Sequence, residues 1–261
     1  MQFTTKMVKK YFYKLKAFTL AETLITLSII GVVAALTVPN LKNSIDEHIY
    51  RGSMIKNYAI LKNAHALSKQ NDEDFYAEPI AHSVISQHYW DNPDLLKNYF
   101  KIAKGPFKST GGGGHIYALF QPFYNEKSKT VIKWLNGEQT DWWLNSSVLA
   151  FQLDDGAIIA FHLTHCHSVS VFIDANGAKK PNTIGKDIYL FNYTVGAHFN
   201  MGSPIQNNAG MFHQILPQGT LGTQSCGGNL YWSEPASDCT KKGKGTTCAR
   251  DILRNKGFKI K

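Results

Sequence analysis

The sequence predicts an α+β protein in which one long N-terminal helix packs against a head made mostly of antiparallel β-sheet. Three observations lead to this class: an apolar run at residues 18–38, helically spaced apolar residues after it, and a series of short strand patterns from the middle of the chain onward. Because 43% of the 261 residues are hydrophobic, the chain can bury a core. A disordered or collagen-like polymer is excluded.

The first 17 residues form a basic leader. The formal net charge is +9, but no acid lies in this leader, which holds five of the basic residues: Lys6, Lys9, Lys10, Lys14 and Lys16. Without them the chain has 23 basic and 19 acidic residues, a net charge of +4. The charge excess is therefore largely a property of the leader, and we predict no specific nucleic-acid binding.

Residues 18–38 are predicted to span a membrane. Their sequence, FTLAETLITLSIIGVVAALTV, contains a single charge, Glu22. A helix of this length measures about 31 Å, and the hydrocarbon core of a bilayer is about 30 Å thick. A secretory signal would have a shorter apolar core before a clear cleavage site. Lysines before the span predict a cytoplasmic start and an exported C-terminal head.

Polar side chains lie on one side of this span. At 100° per residue, Thr19, Glu22, Thr23 and Thr26 fall at about 0°, 300°, 40° and 340°. A carboxylate inside a span costs on the order of 3 kcal/mol on insertion scales, so it usually has a partner. The stripe therefore predicts a helix that packs against other helices and also anchors the chain.

The segment Lys16-Ala17-Phe18-Thr19-Leu20-Ala21-Glu22, which leads into a long apolar helix, resembles the prepilin processing site of type IV pilins and type II secretion pseudopilins. The resemblance implies cleavage between Ala17 and Phe18 and methylation of the new amino group. The family favours glycine before the cut, where this chain has Ala17. Gly31 and Pro39 match helix-weakening positions of the family, and both loosen a helix.

The partners that the resemblance implies are a prepilin peptidase, an inner-membrane assembly platform, other pilin or pseudopilin subunits, and membrane lipid. In that family the apolar helix becomes the core of a filament. The carboxylate of Glu22 would then meet the amino terminus of a neighbouring subunit.

Beyond the span, apolar residues continue at helical spacing to about Gln70, which predicts a helix over 18–70 and a head over 71–261. Short helical pieces are expected up to about Lys104, one of them opening at Asp91-Asn92-Pro93-Asp94. Asp154-Asp155-Gly156 predicts a hairpin turn. Strands are predicted at 116–120, 130–135, 147–153, 157–163, 168–174 and 187–195.

Two groups of residues are candidate metal ligands. Asp174, Asn176 and Asp187 offer hard oxygens around a glycine turn, which suits calcium; the favoured interpretation is an Asn-Gly turn whose aspartates cap backbone amides. Calcium between late strands of the head is also what the resemblance to major pseudopilins implies. His162, His165, Cys166 and His167 could be read as a zinc site, but alternate residues of a strand point to opposite faces, so strand-end histidines beside a structural cysteine are favoured.

All four cysteines lie in the exported part, which favours disulfides. Four cysteines allow three pairings, and the sequence does not select one. The short loop between Cys239 and Cys248 suits a closed ring, which would leave Cys166 for Cys226.

The leading hypothesis is a filament subunit of the pilin or pseudopilin class, requiring no cofactor. Because 244 residues would remain after cleavage, a minor, tip-like subunit is favoured over a bulk one. One alternative is an anchored binding module or adhesin, which could use Trp134, Trp142 and Trp143 to stack on carbohydrate, although large aromatics are more often core. A third hypothesis is an exported metalloenzyme built on the histidines. No catalytic motif is recognisable in the sequence, and we expect no enzymatic activity.

Overall fold

The computed structural model describes residues 19–71, 89, 91–109, 114–115, 120, 122–123, 131–140, 143–144, 148–163, 169–196, 212–217 and 236–255. Two compact units are present, residues 1–46 and residues 47–261. Helix α1, Leu20–Gln70, begins in the first unit and ends in the second. Residues 1–17, the predicted leader, and Phe18 lie outside the described residues.

Helix α1 has 51 residues and changes character along its length. From Leu20 to Ile49 its large apolar side chains are exposed, and its most apolar stretch has a mean hydropathy of 2.1. From Tyr50 onward its buried side chains recur every three or four residues, as in an amphipathic helix: Tyr50, Met54, Asn57, Leu61, Ala64 and Ser68. Pro39 lies inside the helix, where its missing N–H removes one backbone hydrogen bond.

The second unit contains a six-stranded antiparallel sheet. Its strands are β1 (Ile102–Ser109), β4 (Val148–Leu153), β5 (Ile158–Leu163), β6 (Val169–Asp174), β7 (Ile188–Gly196) and β8 (Phe212–Pro217). They lie side by side in the order β1-β4-β5-β6-β7-β8. Two short strands, β2 (Gly114–His115) and β3 (Trp143–Leu144), pair separately. A 3-10 helix spans Pro93–Asn98, and helix α2 spans Cys248–Asn255.

Both faces of the sheet are buried, one in each of two cores. Successive residues of a strand point to opposite faces, so each strand contributes to both cores. Ile159 and Phe161 join one core with the amphipathic part of α1, where Tyr58 stacks on Phe191 with ring centroids 4.9 Å apart. Ile158 and Ala160 join a second core on the opposite face, together with residues of the 120–134 region. The predicted α+β class, a long apolar helix with an antiparallel sheet, is confirmed.

Four of the predicted strands correspond to β4, β5, β6 and β7, and the hairpin turn at Asp154-Asp155-Gly156 joins β4 to β5. Gly156 has a φ of +90°, which a side chain would disfavour, and its N–H donates to the Leu153 carbonyl at 2.9 Å. The strand predicted at 116–120 lies outside the described residues except for Phe120, which is in a turn.

Other predictions for the head need correction. Residues 131–135 form isolated bridges and a turn instead of a strand, because the chain reverses at Gly137 and Lys133 pairs with Gln139. Helical pieces were expected up to Lys104, but β1 begins at Ile102. Gly105-Pro106 hides this strand in the sequence, and the structure accommodates the pair at irregularities in the register of an edge strand.

Candidate functional site

The start of α1 is closed by a capping box between Thr19 and Glu22. The carboxylate Oε2 of Glu22 accepts the backbone N–H and the hydroxyl of Thr19, both at 2.9 Å. In return, the N–H of Glu22 donates to the Thr19 hydroxyl oxygen at 3.2 Å. The pattern Thr-x-x-Glu before an apolar run is the sequence signature of this motif, so the capping box was recognisable from the sequence but was missed.

The other polar residues of the stripe bond to their own helix. The Thr23 hydroxyl donates to the Leu20 carbonyl at 2.8 Å, and the Thr26 hydroxyl donates to the Glu22 carbonyl at 2.9 Å. Each of these hydroxyl groups thus donates its single proton within α1, so the side chain can enter an apolar medium at low cost. Their oxygens can still accept hydrogen bonds from another chain.

Helix α1 is the only helix among the described residues that is long and apolar enough to cross a membrane. This conclusion rests on length and composition. A membrane anchor and a signal sequence near the N-terminus both satisfy it.

In the head, the three candidate calcium ligands lie together in the loop 174–187, between β6 and β7. Asp174 Oδ1 accepts the backbone N–H of Asn176 at 3.2 Å, and the N–H of Ala175 donates to the Asp187 carbonyl at 2.8 Å. Pairing of Asp174 with Ile188 across the sheet brings the two ends of the loop together.

Asp187 is fully buried and holds this loop from within. Its carboxylate oxygens accept the backbone N–H groups of Asn182 at 2.8 Å and Thr183 at 2.6 Å. Burial raises the pKa of Asp187 to about 6, and these hydrogen bonds offset only part of the effect. The aspartates therefore cap backbone amides, as in the Asn-Gly turn interpretation.

The same loop retains an oxygen that suits a hard cation. Asn176 Oδ1 is buried and has no hydrogen-bond partner, while Nδ2 of the same side chain donates to the Lys180 carbonyl at 3.2 Å. Carboxylate and amide oxygens are the ligands that calcium prefers, so the chemistry of the donors fits this ion. Calcium binding stays a prediction.

A disulfide closes a ring of residues 239–248 in the head. Cys239 and Cys248 are bonded, with their Cα atoms 4.8 Å apart, which matches the pairing favoured for these two residues. Asp238 lies just before the ring, and its carboxylate accepts the N–H of Thr246 at 3.0 Å and that of Thr247 at 2.7 Å. Both threonine hydroxyls donate to it as well, at 2.6 and 2.7 Å. This role of Asp238 was missed because its partners are eight and nine residues away. Cys166 and Cys226 lie outside the described residues.

The ring and the 174–187 loop meet at two glycines. Gly185 and Gly245 have φ values of +83° and +82°, and a Cβ at Gly185 would lie 2.8 Å from Cys248 Sγ and from the Cα of Gly245. Only glycine allows the two loops to approach this closely. Together, the 174–187 loop and the segment 236–248, which contains the ring, form what we call the head loops.

The other candidate sites are not assembled in the described part of the chain. His162 lies buried on β5, whereas His165, Cys166 and His167 fall outside the described residues. Within the described ranges, no group of three His, Cys, Asp or Glu residues could hold a metal ion. Trp134 belongs to the core, as the favoured interpretation of this residue has it. Trp142 and the side chain of Trp143 lie outside the description.

Comparison with known proteins identifies no matching family model, no matching curated protein and no matching solved structure.

Proposed function

We propose that this chain is a filament subunit of the pilin or pseudopilin class, made with a leader that a prepilin peptidase removes after Ala17. A minor subunit of a type IV pilus-like or type II secretion filament suits its length best. The observation that carries the proposal is Glu22, a carboxylate at the start of a 51-residue helix whose large apolar side chains are exposed as far as Ile49.

The apolar part of α1 supports assembly because it needs a medium other than water. Its exposed side chains include Leu24, Ile25, Leu27 and Ile30. A membrane before assembly and neighbouring helices after it would both cover such a surface. The accepting oxygens of Thr23 and Thr26 would face those neighbours.

The head supports export. A disulfide between Cys239 and Cys248 is typical of an oxidising compartment outside the cytoplasm. The lysines before Phe18 would keep the N-terminus cytoplasmic, which gives a single-pass inner-membrane protein with an exported head.

Calcium held by Asp174, Asn176 and Asp187 would supply positive charge inside the 174–187 loop.

A second candidate function has a specific observation in its favour. The capping box gives Glu22 a role within one chain, since it satisfies the first amides of α1 without a neighbour. If this were its whole role, α1 would serve only as a tether for an extracytoplasmic binding module or adhesin.

Two substitutions separate these functions in the native host. Glu22→Gln keeps a capping-box residue, because glutamine serves this position too, but it removes the charge. Thr19→Ala removes the capping hydroxyl and keeps the charge. For a filament subunit, Glu22→Gln would leave a neighbour's ammonium group unpaired in a dry core, at a cost of about 3 to 5 kcal/mol per contact.

The assay compares membrane fractions with sheared filaments by immunoblot. We expect Glu22→Gln to be inserted and cleaved like the wild type yet to be missing from filaments. Thr19→Ala should still enter filaments. Equal incorporation of Glu22→Gln and the wild type would show that assembly does not need the charge of Glu22. Absence of the wild type itself from sheared filaments would reject the filament proposal in favour of the tether.

A further inference from the structure

The head loops and the neighbouring hairpin of residues 131–140 bring together lysines that are far apart in sequence. Backbone hydrogen bonds join the three segments: the N–H of Lys133 donates to the Asn182 carbonyl at 3.1 Å, and the N–H of Leu135 donates to the Lys244 carbonyl at 3.2 Å. The segments carry six exposed lysines, which we call the lysine cluster: Lys133, Lys179, Lys180, Lys241, Lys242 and Lys244.

Within its three segments, the lysine cluster carries more positive charge than exposed negative charge. None of the six side chains forms an ion pair within the described part of the chain. Asp187 is buried and Asp238 is half-buried, and both are occupied with backbone amides. Glu138 is the one exposed carboxylate in the three segments and accepts a hydrogen bond from Asn136. The loops thus present a local excess of cations that the net charge of the chain conceals.

The segments that carry the charges are held in place. The Cys239–Cys248 disulfide closes one segment, and the carboxylate of Asp187 ties down another through Asn182 and Thr183. Binding an extended partner therefore orders few backbone atoms, which lowers the entropic cost.

The chemistry of the cluster selects the kind of partner. It contains lysines and no arginine. It therefore offers point charges but no planar guanidinium group, which is the group that forms paired hydrogen bonds with base edges or carboxylates. Trp134, which Lys244 covers with its ammonium 5.1 Å from the ring centroid, is buried and offers no platform for a base or a sugar. Point charges without stacking suit a polymer of densely spaced phosphates, whose condensed counterions are released on binding.

We propose that the lysine cluster binds the sugar-phosphate backbone of double-stranded DNA without sequence preference. This inference is independent of the filament proposal, because it needs only the head. It departs from the expectation drawn from net charge, which gave little support to a generic DNA-binding surface, because net charge cannot show how distant lysines are grouped.

The test measures fluorescence anisotropy of a fluorescein-labelled 30-base-pair duplex with the full chain in nonionic detergent, from 50 to 300 mM NaCl. The cluster variant is Lys241→Gln/Lys242→Gln. The control is Lys69→Gln/Lys101→Gln, which changes the charge equally at two exposed lysines outside the cluster. Both variants keep the lysines of the leader.

We expect the cluster variant to bind about 10- to 60-fold more weakly at 0.1 M salt and to lose about 1.8 from the slope of log K against log salt, since each phosphate contact contributes about 0.9. The control should match the wild type. Absence of binding at 50 mM salt, or the same slope for all three proteins, would overturn the proposal. Tighter binding of polygalacturonate, an acidic polysaccharide, than of the duplex would also overturn it and identify a glycan partner.

Discussion

The contact between the 174–187 loop and the disulfide ring makes a quantitative prediction for Gly185→Ala. Gly185 has a φ of +83°, and the new Cβ would lie 2.8 Å from Cys248 Sγ and from two backbone atoms of Gly245. The left-handed conformation alone costs a non-glycine residue about 1 to 2 kcal/mol. Backbone and disulfide atoms cannot rotate away as a flexible side chain can, so overpacking adds about 1 to 3 kcal/mol.

Gly137 provides a matched control for this substitution. Its φ is +90°, but nothing lies within 4 Å of the position that its Cβ would occupy. Gly137→Ala therefore carries the conformational cost without the contact. We expect Gly185→Ala to lower the free energy of unfolding by about 1 to 3 kcal/mol more than Gly137→Ala does.

Urea titration of the full chain in nonionic detergent, followed by tryptophan fluorescence, measures both values. The assay compares two substitutions of the same chemical kind, so effects of alanine on the unfolded chain largely cancel. Equal destabilisation by the two variants would refute the close approach of the loop and the ring.

Four further predictions concern the same chain. Cys239→Ala should lower the free energy of unfolding by about 2.5 kcal/mol, because a disulfide with a sequence separation of 9 closes a short loop; unchanged urea midpoints would contradict this. With calcium absent, the free energy of unfolding should fall by about 3 kcal/mol as the pH rises from about 4 to 6 and stay level above pH 6. The reason is that the pKa of Asp187 is about 6 in the folded protein and 3.8 in the unfolded chain, so between these values the folded state binds the proton more tightly. In melts at different pH, Asp187→Asn should abolish this fall. Added calcium should raise the melting temperature at pH 7 and EGTA should reverse the rise, whereas identical melting curves would favour the plain turn. Intact-mass and N-terminal peptide spectra of protein from its own host should begin at Phe18 with a methylated amine, and a start at Met1 or near Thr37 would argue against the pilin resemblance.

The long helix could be predicted because its signals are local. A long, mostly apolar run followed by apolar residues at a period of 3.6 predicts α1 from neighbouring residues alone. The short, nearly continuous apolar runs of β4 to β7 are local signals of the same kind, since these strands bury side chains on both faces. Even the capping box at Thr19 and Glu22 could be found from three-residue spacing.

The edges of the sheet could not be predicted in this way. In β1, Gly105-Pro106 has the composition of a turn, and only its place at the edge, with a register irregularity, lets it remain in the sheet. The segment 131–135 has the composition of a strand, but Lys133 forms only isolated bridges, one with Gln139 of the same hairpin and one with Thr183. In both cases pairing with distant residues decided between two locally acceptable structures.

The sequence by itself determined the apolar helix, the strand-rich head and the residues eligible for chemistry. Only the tertiary structure decided which of those residues meet. Asp187 became a buried acceptor of loop amides, Gly185 met Gly245 across 60 positions of the chain, and lysines from three segments came together. The physical reason is that periodicity and capping depend on neighbours within a few residues, whereas loop contacts depend on how strands and helices pack before the loops are placed.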